Sequence, residues 1–443
     1  NGLPRLTYKG KKGSKLMNEV TLYTNARLLD PESGLDIKGE LLTINTEIAA
    51  LGIKVEAPKN AKIIDLKGNC LCPGLIDMRV FIGIPGEDYK DTIKNTGEAA
   101  AAGGVTTVCV QPNSDPIIDS IPHIEYLAIR AKNSLVNFIA MPAVTKQLEG
   151  KEISEIGLMS KAGHNAFTDC SSTIENAALM SRIFKYASAF DALIITHLAE
   201  PNLSKNGCMN AGDLATRLGL PGIPTAAETI VLERDMRLLK SSNCRYHASQ
   251  ITCADSIKVL KNAKRDGYNV TAGVAVPHIS LNEYAIEDYR TFTKISPPLR
   301  SEDDRVAVIE ALKDGTIDVI VSGHDPEDPE TKRVPFEQAE SGVIGLETLL
   351  NICLEIYHND SIDLLSILAK MTSNPAKIMG LKSGRLKIGA PADLCVFDLN
   401  VPYRIEAEKM ISITKNTCFD GRPVQGRVVQ TVVGGESVYE YAG

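Results

Sequence analysis

The stretch Pro73–Gly86, which reads PGLIDMRVFIGIPG, decides the fold of this chain. Its centre is an apolar run from Leu75 to Ile84 with a period of two residues, which is typical of a buried β-strand. The alternation predicts one face that carries Asp77, Arg79 and Phe81. The opposite face carries only apolar side chains: Met78, Val80 and Ile82.

Strand and helix patterns alternate eight times from this stretch onward. The strands are predicted at 75–82, 106–112, 137–143, 166–170, 192–199, 244–251, 269–276 and 318–325. Helical patterns follow them, and eight alternating units predict a parallel (β/α)8 barrel with the helices outside. In such barrels the functional side chains lie at the carboxyl ends of the strands.

Short strand patterns broken by turns flank this central block on both sides. Residues 19–72 and 385–443 are therefore predicted to form one small composite β-sandwich domain, and residues 73–384 the barrel. Residues 1–18 are basic without an apolar stretch, and we interpret them as a loosely ordered leader. The predicted fold class is α/β.

Composition excludes several functions. The net charge of −7, the absence of tryptophan and an aromatic content of 5% argue against a nucleic-acid partner. No apolar run approaches 18 residues, so no membrane partner is expected. Ten cysteines without a CxxC pair indicate reduced thiols and a cytoplasmic location.

Several phrases together resemble one known family. They are PGLID (73–77), QPNS (111–114), KISPPLR (294–300), VSGHDPE (321–327) and GLET (345–348). These phrases are similar to those of dihydroorotase in the amidohydrolase superfamily, and the resemblance extends over about residues 19–440. It implies the same barrel and small β-sandwich domain, and a place in pyrimidine biosynthesis.

The resemblance also implies a zinc site, but most of its ligands have been replaced. The six corresponding positions are Arg79, Phe81, Asp169, His197, Gln250 and Gly323. A guanidinium offers no lone pair and a neutral amide is a poor zinc ligand. Gly323 stands where the family has an aspartate that is both ligand and general base. Asp169 and His197 alone fall short of the three protein ligands of a catalytic zinc site.

Two further positions are remnants of the family's substrate contacts. Asn113 corresponds to an asparagine that helps to hold the substrate carboxylate, and His278 is one of two histidines after the seventh strand. The arginine of the same carboxylate clamp is replaced by Gly83.

Three hypotheses follow. The first is a non-catalytic, metal-free homologue, without cofactor or catalytic residue. It is expected to be homo-oligomeric and to serve as a structural partner of aspartate transcarbamoylase, as the resemblance implies. The second is an active zinc-dependent hydrolase of cyclic amides with an unusual site at Asp169 and His197, joined by His247 or His278. The third is a metal-free protein that binds a pyrimidine intermediate through Asn113 and its neighbours.

Loss of the metal predicts a new partner for Asp169. A buried carboxylate is costly unless it is neutralised or paired. We therefore expect the Arg79 guanidinium to occupy the former metal position and to pair with Asp169, while Phe81 fills the remaining space.

Overall fold

The computed structural model describes residues 19–442, so the predicted leader at 1–18 lies outside the described residues. The strands are β1 (Val20–Asp30), β2 (Leu35–Ile44), β3 (Glu47–Gly52), β4 (Lys62–Asp65), β5 (Cys70–Pro73), β6 (Leu75–Val80), β7 (Val105–Val110), β8 (Asn137–Ala140), β9 (Ala166–Thr168), β10 (Leu193–Thr196), β11 (Met209–Asn210), β12 (Gly222–Ile223), β13 (Arg245–Ala248), β14 (Val270–Ala275), β15 (Val319–Val321), β16 (Leu394–Arg404), β17 (Pro423–Val433) and β18 (Glu436–Glu440). The α-helices are α1 (Ile93–Ala102), α2 (Ile121–Arg130), α3 (Ile156–Lys161), α4 (Ala177–Ser188), α5 (Pro201–Ser204), α6 (Asp213–Leu218), α7 (Ala226–Leu239), α8 (Ala254–Arg265), α9 (Val276–Ser280), α10 (Glu302–Lys313), α11 (Pro329–Lys332), α12 (Leu349–His358), α13 (Leu364–Ala369) and α14 (Ser373–Met379).

Eight parallel strands form the barrel. One group has the order β6-β7-β8 and the other the order β9-β10-β13-β14-β15. Between the groups, the Thr168 amide donates to the Pro142 carbonyl at 3.0 Å. A parallel bridge between Val80 and His324 joins the eighth strand back to the first. The predicted α/β barrel is confirmed, with a strand in each predicted stretch.

The first barrel strand departs from simple alternation. The pairing of β6 with β7 changes register between Asp77 and Val80. Met78 consequently belongs to the apolar cluster inside the barrel, with residues such as Cys109 and Ile195. Val80 instead belongs to the larger cluster that the strands share with the outer helices. The predicted common face of Met78 and Val80 was therefore wrong, because a register shift breaks the two-residue period.

Strands from both flanking segments form the β domain. They make one continuous mixed sheet with the order β18-β17-β16-β5-β1-β2-β3, and β4 pairs with β1. The central strand β5 pairs in parallel with β1 and antiparallel with β16. Leu28, Leu71 and Val396 share one fully buried cluster, which ties the early strands to the late ones. Within the described residues, no helix is both long and apolar enough to span a membrane.

Candidate site at the barrel mouth

A small cavity lies at the carboxyl ends of the barrel strands, where the sequence predicted the site. Its lining includes Arg79, Phe81, Gln250, His278, Gly323 and Asp325. The free volume is about 20 Å³, which is enough for about one water molecule. Small-molecule sites usually measure about 300–1,000 Å³, so side chains largely fill this mouth.

Arg79 is the central side chain of the mouth and is only 4% exposed. Its Nη1 donates to Ser249 Oγ at 3.3 Å and its Nη2 to Ser171 Oγ at 3.4 Å. The guanidinium carbon lies 5.0 Å from the centroid of the Phe81 ring. Burial lowers the pKa of Arg79, and Asp325 is the strongest of the negative groups that oppose this shift.

Asp169 has partners other than Arg79. Its Oδ1 accepts hydrogen bonds from the amides of Val144 at 2.8 Å and Thr145 at 2.9 Å. Its Oδ2 accepts a 2.5 Å hydrogen bond from the Thr145 hydroxyl. The expected ion pair with Arg79 was therefore wrong, since the loop after β8 already satisfies this carboxylate. Burial nevertheless raises the pKa of Asp169, against the effect of these hydrogen bonds.

His197 and Gln250 are buried close to the guanidinium. Burial, and next the charge of Arg79, lower the pKa of His197 to about 3, so the imidazole is neutral. His197 Nδ1 and Gln250 Oε1 have no hydrogen-bond partner within the described part of the chain. The Gln250 side-chain nitrogen lies 3.9 Å from the point where a Cβ at residue 323 would be.

Gly323 stands where the backbone conformation and a close neighbour both disfavour a side chain. Its φ of +67° lies in the left-handed region, and a Cβ there would meet the Ala275 Cβ at 3.0 Å. The neighbouring His324 is fully buried and structural. Its Nε2 lies 3.4 Å from Asp91 Oδ2, and its Nδ1 accepts from the Gly345 amide at 3.3 Å.

The two predicted substrate remnants differ in position. His278 lines the cavity, and its Nε2 lies 2.9 Å from the Pro297 carbonyl oxygen. Burial lowers its pKa to about 4. Asn113 is exposed and is absent from the cavity lining, although its backbone amide is close enough to affect the Cys170 thiol.

Sequence reasoning missed Asp325, a charged group that faces Arg79. Burial, and next the charge of Glu327, raise the pKa of Asp325 to about 7. Glu327 forms a 3.2 Å ion pair with Lys90, which connects the loops after the first and eighth strands. Asp325 lies two residues after Gly323, which replaces the aspartate of the family. The resembling dihydroorotase phrase has an alanine at the position of Asp325. An acidic residue at that point was the available signal.

The donor set of the mouth does not fit zinc. Of the six family positions, Arg79, Phe81, Gln250 and Gly323 offer no suitable ligand, and Asp169 is engaged by amides. Across residues 19–442, no three side chains of His, Cys, Asp or Glu are grouped so that they could hold a metal ion.

Comparisons of the fold identify structural relatives. The chain is similar to an L-hydantoinase (dihydropyrimidinase) from Arthrobacter aurescens, with a TM-score of 0.84, 24% identity and 96% coverage of each chain. It is also similar to a dihydropyrimidinase from Brevibacillus agri, with a TM-score of 0.81, 20% identity and 95% coverage of each chain. At these identities the likeness supports the barrel and its mixed β domain.

Comparisons of the sequence identify relatives with higher sequence identity. The Dihydro-orotase-like family matches residues 68–256, and the Amidohydrolase family matches residues 352–439. A dihydroorotase from Anaplasma phagocytophilum is 40% identical over 442 residues, which cover 98% of each chain. A dihydroorotase from a Wolbachia of Drosophila simulans is 41% identical over 420 residues, 94% of this chain and 95% of the relative. By this similarity over nearly its whole length, the chain belongs to the dihydroorotase family.

Proposed function

We propose that this chain is a catalytically silent dihydroorotase-family protein of pyrimidine biosynthesis that acts as a structural partner of aspartate transcarbamoylase. The observation that carries the proposal is the filling of the barrel mouth by Arg79 and Phe81, which leaves a cavity of about 20 Å³. We also propose that the protein is homo-oligomeric and cytoplasmic.

Hydrolysis of a cyclic amide requires an activated water molecule, a polarised carbonyl and a general base. Gly323 provides no base, and the side chains at the four replaced positions are unsuitable as ligands for a metal that would activate water. Asp325 is the strongest candidate for a substitute base, because its pKa is about 7. However, a cavity with room for about one water cannot place a cyclic amide beside it.

Absence of turnover is the first expected result. The purified chain should contain no stoichiometric zinc and should neither form nor hydrolyse dihydroorotate, with or without added zinc or manganese. The measurements are elemental analysis and an absorbance assay, with an active dihydroorotase assayed in parallel. A zinc-dependent rate that disappears in both His197→Ala and Asp325→Asn would instead establish the active-hydrolase alternative.

Arg300 of the retained family phrase PPLR (297–300) has a structural role, which supports a scaffold function. Arg300 is buried, and its Nε donates to Thr252 Oγ1 at 3.1 Å while its Nη1 donates to Asn210 Oδ1 at 3.0 Å. Its Nη2 lies 3.8 Å from Glu228 Oε2. These contacts connect the loops around the barrel and involve no catalytic group. A catalytically silent chain would therefore still require them for its fold.

Assembly with aspartate transcarbamoylase is the second expected result. The two proteins, mixed at micromolar concentrations, should elute together in size-exclusion chromatography with light scattering. Arg79→Met serves as the matched control, since it changes the buried mouth and should leave the complex intact. Independent elution of the two wild-type proteins would refute the partnership.

A further inference from the structure

Among residues 19–442, no charged group of opposite sign contacts the Arg79 guanidinium. Within residues 19–442 its guanidinium makes hydrogen bonds to the hydroxyls of Ser249 and Ser171, and it forms no ion pair. A buried cation without a partner is unfavourable because it has lost its water shell. An anion that contacts the guanidinium at the barrel mouth would therefore be stabilised by its positive charge.

The nearby carboxylates do not meet this demand. Asp169 is engaged by the loop after β8. Asp77 accepts hydrogen bonds from the amides of Arg79 at 3.0 Å and Ser322 at 3.2 Å, so it serves the backbone. Asp325 acts on Arg79 through space without forming an ion pair.

Two polar side chains, Ser249 and Gln250, lie near the guanidinium, and Gln250 lines the same cavity as Asp325. The hydroxyl of Ser249 contacts Arg79. The side-chain nitrogen of Gln250 lies 3.9 Å from the point where a Cβ at residue 323 would be. Gln250 is 3% exposed and has an unpartnered side-chain oxygen, so its amide is not fixed by other contacts. Gly323 and Asp325 are partly exposed, which places the cavity at the protein surface.

We propose that the barrel mouth binds one small monovalent anion, of the size of chloride or formate, between the Arg79 guanidinium and the Gln250 amide. The volume of about 20 Å³ favours the smallest anions, since it has room for about one water molecule. The anion takes the place of a missing side-chain carboxylate. This inference is independent of the proposed partnership.

The test is thermal unfolding of the full chain at constant ionic strength, with sodium gluconate replaced stepwise by sodium chloride or sodium formate. A ligand that binds the folded state raises the midpoint temperature in a saturable way. We expect this rise in wild type and in the exposed control Arg265→Met, and its loss in Arg79→Met. Asp325→Asn should lower the apparent Kd for chloride by roughly tenfold, because it removes a nearby negative charge that repels the anion.

A crystal of the wild-type protein soaked in bromide gives an answer even if Arg79→Met fails to fold. Anomalous density in contact with the Arg79 guanidinium is the expected result. Density only at surface lysines, which means an adventitious ion only, would overturn the proposal. An equal thermal response to gluconate and chloride, or an unchanged response in folded Arg79→Met, would overturn it as well.

Discussion

Asp169→Ala is expected to lower the free energy of unfolding by about 2–4 kcal/mol. The carboxylate accepts from the buried amides of Val144 and Thr145 and from the Thr145 hydroxyl. An unsatisfied buried donor costs about 1–3 kcal/mol, and two amides lose their acceptor in the variant. Relief from burying a carboxylate, whose pKa burial raises, offsets part of this loss. Urea denaturation measures the difference.

This variant separates a structural role for Asp169 from a role as metal ligand. If the carboxylate serves the loop, the destabilisation should be the same with and without EDTA. Exposed Asp288→Ala is the matched control and should change the stability by less than about 0.5 kcal/mol. If EDTA alone lowers wild-type stability to that of Asp169→Ala, Asp169 holds a metal and the structural assignment fails.

Asp325→Asn is expected to stabilise the protein by about 2–4 kcal/mol at pH 8 and by little at pH 4. The pKa of Asp325 rises from 3.8 to about 7 on folding, so the folded state holds this proton more tightly than the unfolded state. The carboxyl therefore causes no loss of stability below pH 4, an increasing loss between pH 4 and 7, and a constant loss above pH 7. Solvent at the partly exposed mouth keeps the effect below the full value of about 4 kcal/mol.

Urea midpoints of wild type and Asp325→Asn, measured from pH 4 to pH 8, give this difference directly. Asp288→Asn, at an exposed position, should follow the wild-type curve across the range. Parallel curves for wild type and Asp325→Asn would show that Asp325 titrates normally.

The sequence predicted the barrel well because its strands are marked by local patterns. Runs such as Leu193–Thr196 and Val319–Val321 are short, apolar and bounded by turns, and each forms a buried parallel strand. Four of the six family positions, Arg79, Phe81, Gln250 and Gly323, line the cavity at the barrel mouth. The loss of the family's metal ligands at Arg79 and Gly323 can be recognised from the residue types alone.

Side-chain pairing at the mouth could not be predicted in this way. Asp169 and Arg79 come from separate strands, and charge alone favoured their pairing. The deciding partners were the amides of Val144 and Thr145, and backbone amides carry no signal in the residue letters. Asp325 stands where the family phrase has an alanine, so the family pattern assigns it no role. The register shift in β6 depends on pairing with β7, which local alternation does not record.

The position of β5 between β1 and β16 has a consequence for synthesis on the ribosome. β5 ends at Pro73 and its neighbour β16 begins at Leu394, so about 320 residues must be translated between two adjacent strands. At about 5–20 residues per second this takes tens of seconds. During that interval one edge of β5 lacks its final neighbour, and an unpaired edge invites association with other chains. Nascent chains that stall before Leu394 should therefore be retained by chaperones, whereas chains released after β17 should not.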